Sequence, residues 1–243
     1  NRDKGLMVTP TPAERIFCAI DTTDRNQAIE LALALKGAVG GFKLGKEFFT
    51  ANGPEGVAEI AELGQRVFLD LKFHDIPNTV AGAVNAAKKL NCYMLTVHAS
   101  GGGAMIQAAA EATGDETSPL IMAVTVLTSL NSKDLVDIGQ KPPIEDQVLK
   151  LGKLAHKFGA DGLIASPKEL KALRAALGPN CLLVVPGIRP LWASADDQKR
   201  IMPPLDAIKA GADFLVIGRP ITQANDPKAA ADRISAEIAE GYR

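Results

Sequence analysis

Asp70, Lys72 and Asp75 stand close together in Asp70-Leu71-Lys72-Phe73-His74-Asp75, and their types suit delivery of a proton to a developing negative charge. Read as the end of a strand, Asp70-Leu71-Lys72 puts Asp70 and Lys72 on one face, because side chains alternate along a strand. Asp75 follows just beyond, so two carboxylates can flank one ammonium and favour its protonated form. A lysine held in this way is a poised proton donor. Taken alone, the same residues also fit a structural ion pair, with Asp75 stabilising the start of a helix that opens near Pro77. Two further charges disfavour that reading: Lys43 in Gly41-Phe42-Lys43-Leu44-Gly45, and Asp21 at the end of the first apolar run. Four charges would then crowd one layer of three adjacent strands.

A second constellation suits a phosphate. Arg189 follows Pro186-Gly187-Ile188, and Arg219 follows Ile217-Gly218, so two arginines occupy matched positions after consecutive apolar runs. Glycine lets backbone approach a ligand closely, and a guanidinium offers phosphate a bidentate fork. Either arginine alone reads equally well as a surface residue beside a turn glycine; the matched pair does not.

The elements that must position these groups are short apolar runs separated by segments of helical period. They span Ile16 to Ile20, Gly41 to Leu44, Val67 to Leu71, Tyr93 to Val97, Leu120 to Leu127, Gly162 to Ala165, Leu182 to Val185 and Phe214 to Ile217. Each reads as a buried strand. Helix signals lie between them. Ser166 suits a cap with Pro167 first and Glu169 third in the helix, Asp226-Pro227 opens the last helix, and Val148, Leu151, Leu154, Ala155 and Phe158 trace one face.

Alternating strands and helices demand parallel strands with crossovers. Eight such units predict a single (β/α)8 TIM barrel of the α/β class, its chemistry at the C-terminal ends of the strands, where loops seven and eight often bind phosphate. A doubly wound open sheet is the alternative. Residues 1–13 read as an N-terminal arm or a trimmed end, with Met7 a candidate native start, and 190–204 read as a functional, phosphate-closing loop within the same single domain.

Composition narrows the partners. The 243 residues are 47% apolar, enough for one large core, and 27 basic residues balance 28 acidic ones without a block of like charge. Nothing marks a surface for nucleic acid or acidic lipid. No stretch approaches the roughly 20 apolar residues of a membrane span, and the polar opening lacks the apolar core of a signal peptide. Cys18, Cys92 and Cys181 each sit in an apolar run and imply no disulfide framework. A cytoplasmic enzyme with a small-molecule partner is expected. His74, His98 and His156 lack paired-ligand spacing and there is no C-x-x-C, so no metal site is expected. His74 and His98 read as supports near the mouth, His156 as a solvated helix residue, and Trp192 as a packing anchor.

The segment Phe68-Leu69-Asp70-Leu71-Lys72-Phe73-His74-Asp75-Ile76-Pro77-Asn78-Thr79 resembles the signature of orotidine 5′-monophosphate decarboxylases. The resemblance extends over nearly the whole chain, through Asp21, Lys43, Pro186-Gly187-Ile188-Arg189 and Ile217-Gly218-Arg219-Pro220. It implies a cofactor-free conversion of orotidine 5′-monophosphate to UMP and carbon dioxide by a charged array of Lys43, Asp70, Lys72 and Asp75. It also implies a homodimer in which Asp75, with Ile76 and Thr79, reaches a partner's site. By the same resemblance Asp21 and Lys43 hold the ribose hydroxyls, Gln198 closes over phosphate and pyrimidine, and Thr128 at the end of strand five meets the base edge. On residue type alone, Gln198 and Thr128 would be solvated loop positions. The family usually carries Thr where this chain has Pro203, which implies a stiffer end to the loop.

Two rival readings remain. Sugar-phosphate decarboxylases and aldolases of the same superfamily share the D-x-K-x-x-D pattern and use a magnesium-stabilised enediolate. They carry an acidic metal ligand on strand two, whereas this chain has Lys43 there. A non-catalytic phosphate-binding barrel would keep Arg189 and Arg219 without needing the charged array.

Overall fold

In a computed structural model, which describes residues 9–114, 119–193 and 202–241, eight parallel strands close in chain order into a barrel. They are β1 (Ile16–Ile20), β2 (Gly41–Gly45), β3 (Arg66–Phe73), β4 (Met94–His98), β5 (Leu120–Val124), β6 (Gly162–Ile164), β7 (Leu182–Val185) and β8 (Phe214–Ile217). β8 returns to pair with β1, with Phe17 opposite Val216, so no edge is left open. The (β/α)8 TIM barrel expected from the alternating runs is therefore the fold, and the open doubly wound sheet is excluded.

Alternation along each strand separates two apolar layers. Phe17, Phe68, Met94, Met122, Val184 and Phe214 face inward and fill the barrel, while their neighbours Ile16, Cys18, Val67, Leu69, Leu95 and Leu183 face outward under the helices. Phe17 packs edge-on against Phe68 and Phe214, with ring centroids 6.1 and 5.5 Å apart, and Tyr93 stacks on it at 6.1 Å. Gly41 is glycine for a steric reason: a Cβ there would collide with the Arg66 carbonyl oxygen and the Phe17 ring.

The polar end of the barrel opposite the strand C-termini is tied by side chains. Arg174, on the helix Leu170–Leu177, donates to the carbonyls of Gly178, Cys181 and Gly211, and pairs with Asp213 at 2.6 Å. Asp213 also accepts the Leu183 N–H at 2.8 Å, which joins that helix to the starts of β7 and β8. Asp213→Ala leaves the partly buried Arg174 charge without its counterion. It is expected to cost about 2 kcal/mol, less than a fully buried pair because both side chains keep some solvent contact. For a chain of this size that lowers Tm by roughly 4–8 °C, readable by calorimetry, with kcat of the folded protein unchanged.

Several boundaries differ from the sequence expectations. β3 runs on to Phe73, and β5 stops at Val124 instead of Leu127, because Leu130 N–H closes a turn onto the Leu127 carbonyl and Leu127 stands at the exposed rim. Thr128 therefore lies in a turn beyond the strand. The helix after β6 begins at Leu170; Ser166 to Glu169 form a turn in which the Glu169 carboxylate accepts the Ser166 N–H at 2.8 Å. Pro227 does open the last helix, with Asp226 accepting from Ala229 N–H, and Val148, Leu151 and Ala155 are buried along the helix Ile144–Lys157.

Cys92 and Cys181 sit just ahead of β4 and β7, not within them. All three cysteines are free, and burial pushes each thiol up to about 12. Among the described residues, no helix is long and apolar enough to cross a membrane.

Candidate active site

The inward parity that fills the barrel with Phe17, Phe68 and Met94 continues upward and places charged and polar side chains at the strand C-termini. On β2, Gly41 and Lys43 share the inward face, and Lys43 stands level with Ala19 of β1 and Phe68 of β3. Its ammonium meets Asp21, just past β1, at 3.2 Å. Gly45 leaves room for this pair, since a Cβ there would sit 3.2 Å from Lys43 Nζ.

Asp70 and Lys72 form an ion pair at 2.7 Å, so the expected pairing holds, although simple alternation does not produce it. Lys72 has φ +55°, a left-handed conformation that side chains beyond glycine rarely adopt. The β3–β4 register also slips here: β3 advances four residues between Leu69 and Phe73 while β4 advances two, from Leu95 to Val97. The bulge re-aims Lys72 toward Asp70.

Sequence reasoning missed Thr96, which is fully buried on β4 and bonded to both members of this pair. The available signal was one polar residue inside the apolar run Tyr93–Val97. Thr125, just past β5, was missed for the same reason; its buried hydroxyl has no hydrogen-bond partner among the described residues.

Asp21, Lys43, Pro186, Arg189, Gly218 and Arg219 line one cavity of 310 Å³. The two arginines thus face the same space from the ends of β7 and β8, and Arg219 starts a short helix, Arg219–Thr222. Gly187 has φ +73°, which requires glycine. Gly218 does not have that constraint: a Cβ there would meet only Ala19 at 3.5 Å, so the space its absence leaves belongs to the cavity. Arg189 is buried, and its N–H bonds the Met202 carbonyl across a bridge between Ile188 and Met202.

Other expected residues fall elsewhere. Thr128 lines a neighbouring cavity of 210 Å³ with Ser166 and Glu169. Asp75, Ile76 and Thr79 are exposed, and Ile76 keeps 66% of its surface. Asp75 accepts its neighbour's N–H, from Ile76, and makes no ion pair with Lys72 within the chain. Of the two carboxylates expected to flank Lys72, the chain itself brings Asp70 to it and leaves Asp75 apart. Gln198 lies outside the described residues, as does most of the 190–204 segment; Pro203 caps the helix Pro204–Lys209. Arg233 stacks over Trp192 at 4.4 Å, which fits a packing anchor.

The His74 and His98 rings meet at a tilt of 36° near the mouth with centroids 5.3 Å apart, and His156 is exposed. Burial, then the nearby His74, Lys46 and Lys72 charges, hold His98 below the usual imidazole range against the pull of Asp70. The neutral ring is thus favoured beside the Lys72 ammonium. Among the described residues, no three His, Cys, Asp or Glu side chains are grouped to hold a metal ion.

Comparison with known proteins fits this geometry. Residues 14–234 match the model of the "Orotidine 5'-phosphate decarboxylase / HUMPS family". An orotidine 5′-phosphate decarboxylase of Paramagnetospirillum magneticum is 52% identical over 92% of this chain and 97% of its own length. One of Moorella thermoacetica is 48% identical over 96% and 95%. The crystal structure of orotidine 5′-phosphate decarboxylase from Lactobacillus acidophilus superposes with a TM-score of 0.82 at 37% identity, over 92% of this chain and 98% of that one. A match that spans nearly every strand and helix, with relatives close to half identical, means that the chain belongs to the orotidine 5′-phosphate decarboxylase / HUMPS family.

Proposed function

We propose that Lys72 and Asp70 carry the decarboxylation of orotidine 5′-monophosphate to UMP and carbon dioxide, the step of pyrimidine biosynthesis that this enzyme catalyses. The observation that carries the assignment of roles is the 2.7 Å Asp70–Lys72 pair, at the strand ends beside a cavity lined by Asp21, Lys43, Arg189 and Arg219. Breaking the bond from C6 to the carboxylate leaves the electron pair on a vinyl-type carbon with no adjacent carbonyl to receive it. Stabilisation must then come from fixed charge. The Lys72 ammonium stabilises that pair and delivers its proton to C6, while carbon dioxide departs. Asp70 orients the ammonium and faces the leaving carboxylate.

Asp21 and Lys43 bind the ribose hydroxyls; Arg189, Arg219, Gly218 and Pro186 receive the phosphate; Thr128 and Gln198 meet the pyrimidine. Asp75, Ile76 and Thr79 cross to a second copy of the chain, so the working unit is a homodimer with sites at the subunit interface. Their exposure, above all that of the apolar Ile76, supports this. Free, buried thiols and a biosynthetic substrate fit work in the cytoplasm.

No cofactor or metal takes part in this scheme. Lys43 stands on β2 where a magnesium-dependent sugar-phosphate relative needs an anionic ligand, and a cation repels a cation. Purified protein in excess EDTA is therefore expected to convert orotidine 5′-monophosphate to UMP at the rate seen without chelator, followed by the change in pyrimidine absorbance. Folded protein that leaves this substrate untouched would sink the reading. Activity lost in EDTA and restored by magnesium would favour the metal-dependent relatives.

A further inference from the structure

We infer that Thr96 is a positioning residue for the reaction: its hydroxyl holds the Lys72 ammonium on target by bonding Asp70 and the Lys72 backbone at once. The inference rests on the decarboxylase chemistry proposed above. The Thr96 hydroxyl accepts the Lys72 N–H at 2.8 Å and donates to Asp70 Oδ1 at 2.8 Å. Asp70 Oδ2 in turn accepts from Lys72 Nζ at 2.7 Å. The hydrogen bonds close a ring through three residues, with each carboxylate oxygen committed to a different donor.

The bulge in β3 explains why this ring is needed. Where the register slips, the Lys72 N–H leaves the β3–β4 ladder, and a buried N–H without a partner is costly. Thr96 supplies that partner from inside the barrel. Lys72 is also held at φ +55°, a conformation that persists only where its surroundings enforce it. The same oxygen thus fixes the backbone from which the lysine springs and the carboxylate that its tip meets. Only a group that both accepts and donates can do both, which a hydroxyl does and a methyl does not. Thr96 itself is fully buried beneath the pair, so it acts through Lys72 and Asp70 instead of on substrate.

Three variants and the wild type test this, with active sites counted by UMP binding so that kcat refers to folded protein. Thr96→Val keeps the shape and removes the hydroxyl; misplacing a catalytic group by about 1 Å is expected to lower kcat about 100-fold, with KM within about threefold. Thr96→Ser restores the hydroxyl and is expected to return kcat to within about fivefold of wild type. Should Thr96→Val not fold, Thr96→Ala provides the same comparison in a smaller side chain.

A merely structural threonine would lower Tm while leaving kcat per site near wild type, and that result overturns the inference. So does a Thr96→Ser variant as slow as the variant without a hydroxyl. Wild-type protein that binds UMP but does not decarboxylate would instead sink the proposed chemistry, and this inference with it. Active wild type with an equally active Thr96→Val sinks the positioning role alone.

Discussion

Lys72→Ala is expected to lower kcat for orotidine 5′-monophosphate by about 10⁴-fold. In the proposed mechanism the ammonium does two things: it stabilises charge at C6 and supplies the proton. Positioned proton transfer contributes about 10²–10⁴-fold, and loss of one preorganised donor to a developing charge costs about 10²–10³-fold. The two overlap and do not simply multiply, yet either alone is large. Removal also leaves Asp70, which is mostly buried, with Thr96 as its remaining partner and an uncompensated negative charge facing the substrate carboxylate. Binding is therefore expected to weaken along with turnover.

A complementation arm separates lost chemistry from misfolding. If Asp75 serves the partner's site, equal amounts of Lys72→Ala and Asp75→Ala, unfolded and refolded together, form half mixed dimers with one intact site in two. Activity should return to about a quarter of wild type. Folded Lys72→Ala with turnover near wild type would remove Lys72 from the centre of the mechanism. Failure of the mixture to recover any activity would remove the shared site.

Orotidine, the same nucleoside without its phosphate, is expected to lose turnover as well as affinity. Arg189 and Arg219 face one cavity, from strands across the barrel from β3, so on the proposed assignment a phosphate held there is remote from the bond that breaks. Charge-assisted hydrogen bonds contribute about 1.5–3 kcal/mol each, and four of them to a phosphate amount to at least about 6 kcal/mol. At 1.36 kcal/mol per tenfold, that predicts a fall in kcat/KM of about 10⁴-fold or more. Part of it should lie in kcat, because remote binding energy is spent on assembling the reacting end. Equal turnover at saturation with and without the phosphate would show that this energy goes into affinity alone. Arg219→Ala should then weaken binding only.

The barrel was legible because a parallel strand buried on both faces is a short apolar run, and β1, β7 and β8 begin and end where those runs do. Strand ends were less legible where a turn competes with continued pairing, as at Leu127 to Leu130, or where a bulge prolongs a strand, as at Lys72. Helix starts failed once, at Ser166, where cap chemistry builds a turn one step before the helix it resembles. The charged residues stood out because ionisable groups at the end of apolar runs have few structural uses.

Thr96 did not stand out, since threonine is an ordinary strand residue and its importance arises only from the register slip opposite it. The slip is a property of two strands together and has no signature in either. Residues such as Asp75 and Ile76, which the proposed function sets against a second chain, are legible from one chain only as exposure.

The aromatic packing of Phe17, Phe68, Phe214 and Tyr93 makes the barrel a blind tube. On the proposed assignment, substrate, product and carbon dioxide share one doorway, the open end that carries Asp21, Lys43, Lys72 and the two arginines. If the reaction runs at that end as proposed, the small gas has to leave past the nucleotide that released it. No substitution on the opposite face can open a back exit without first emptying the core that keeps the tube round.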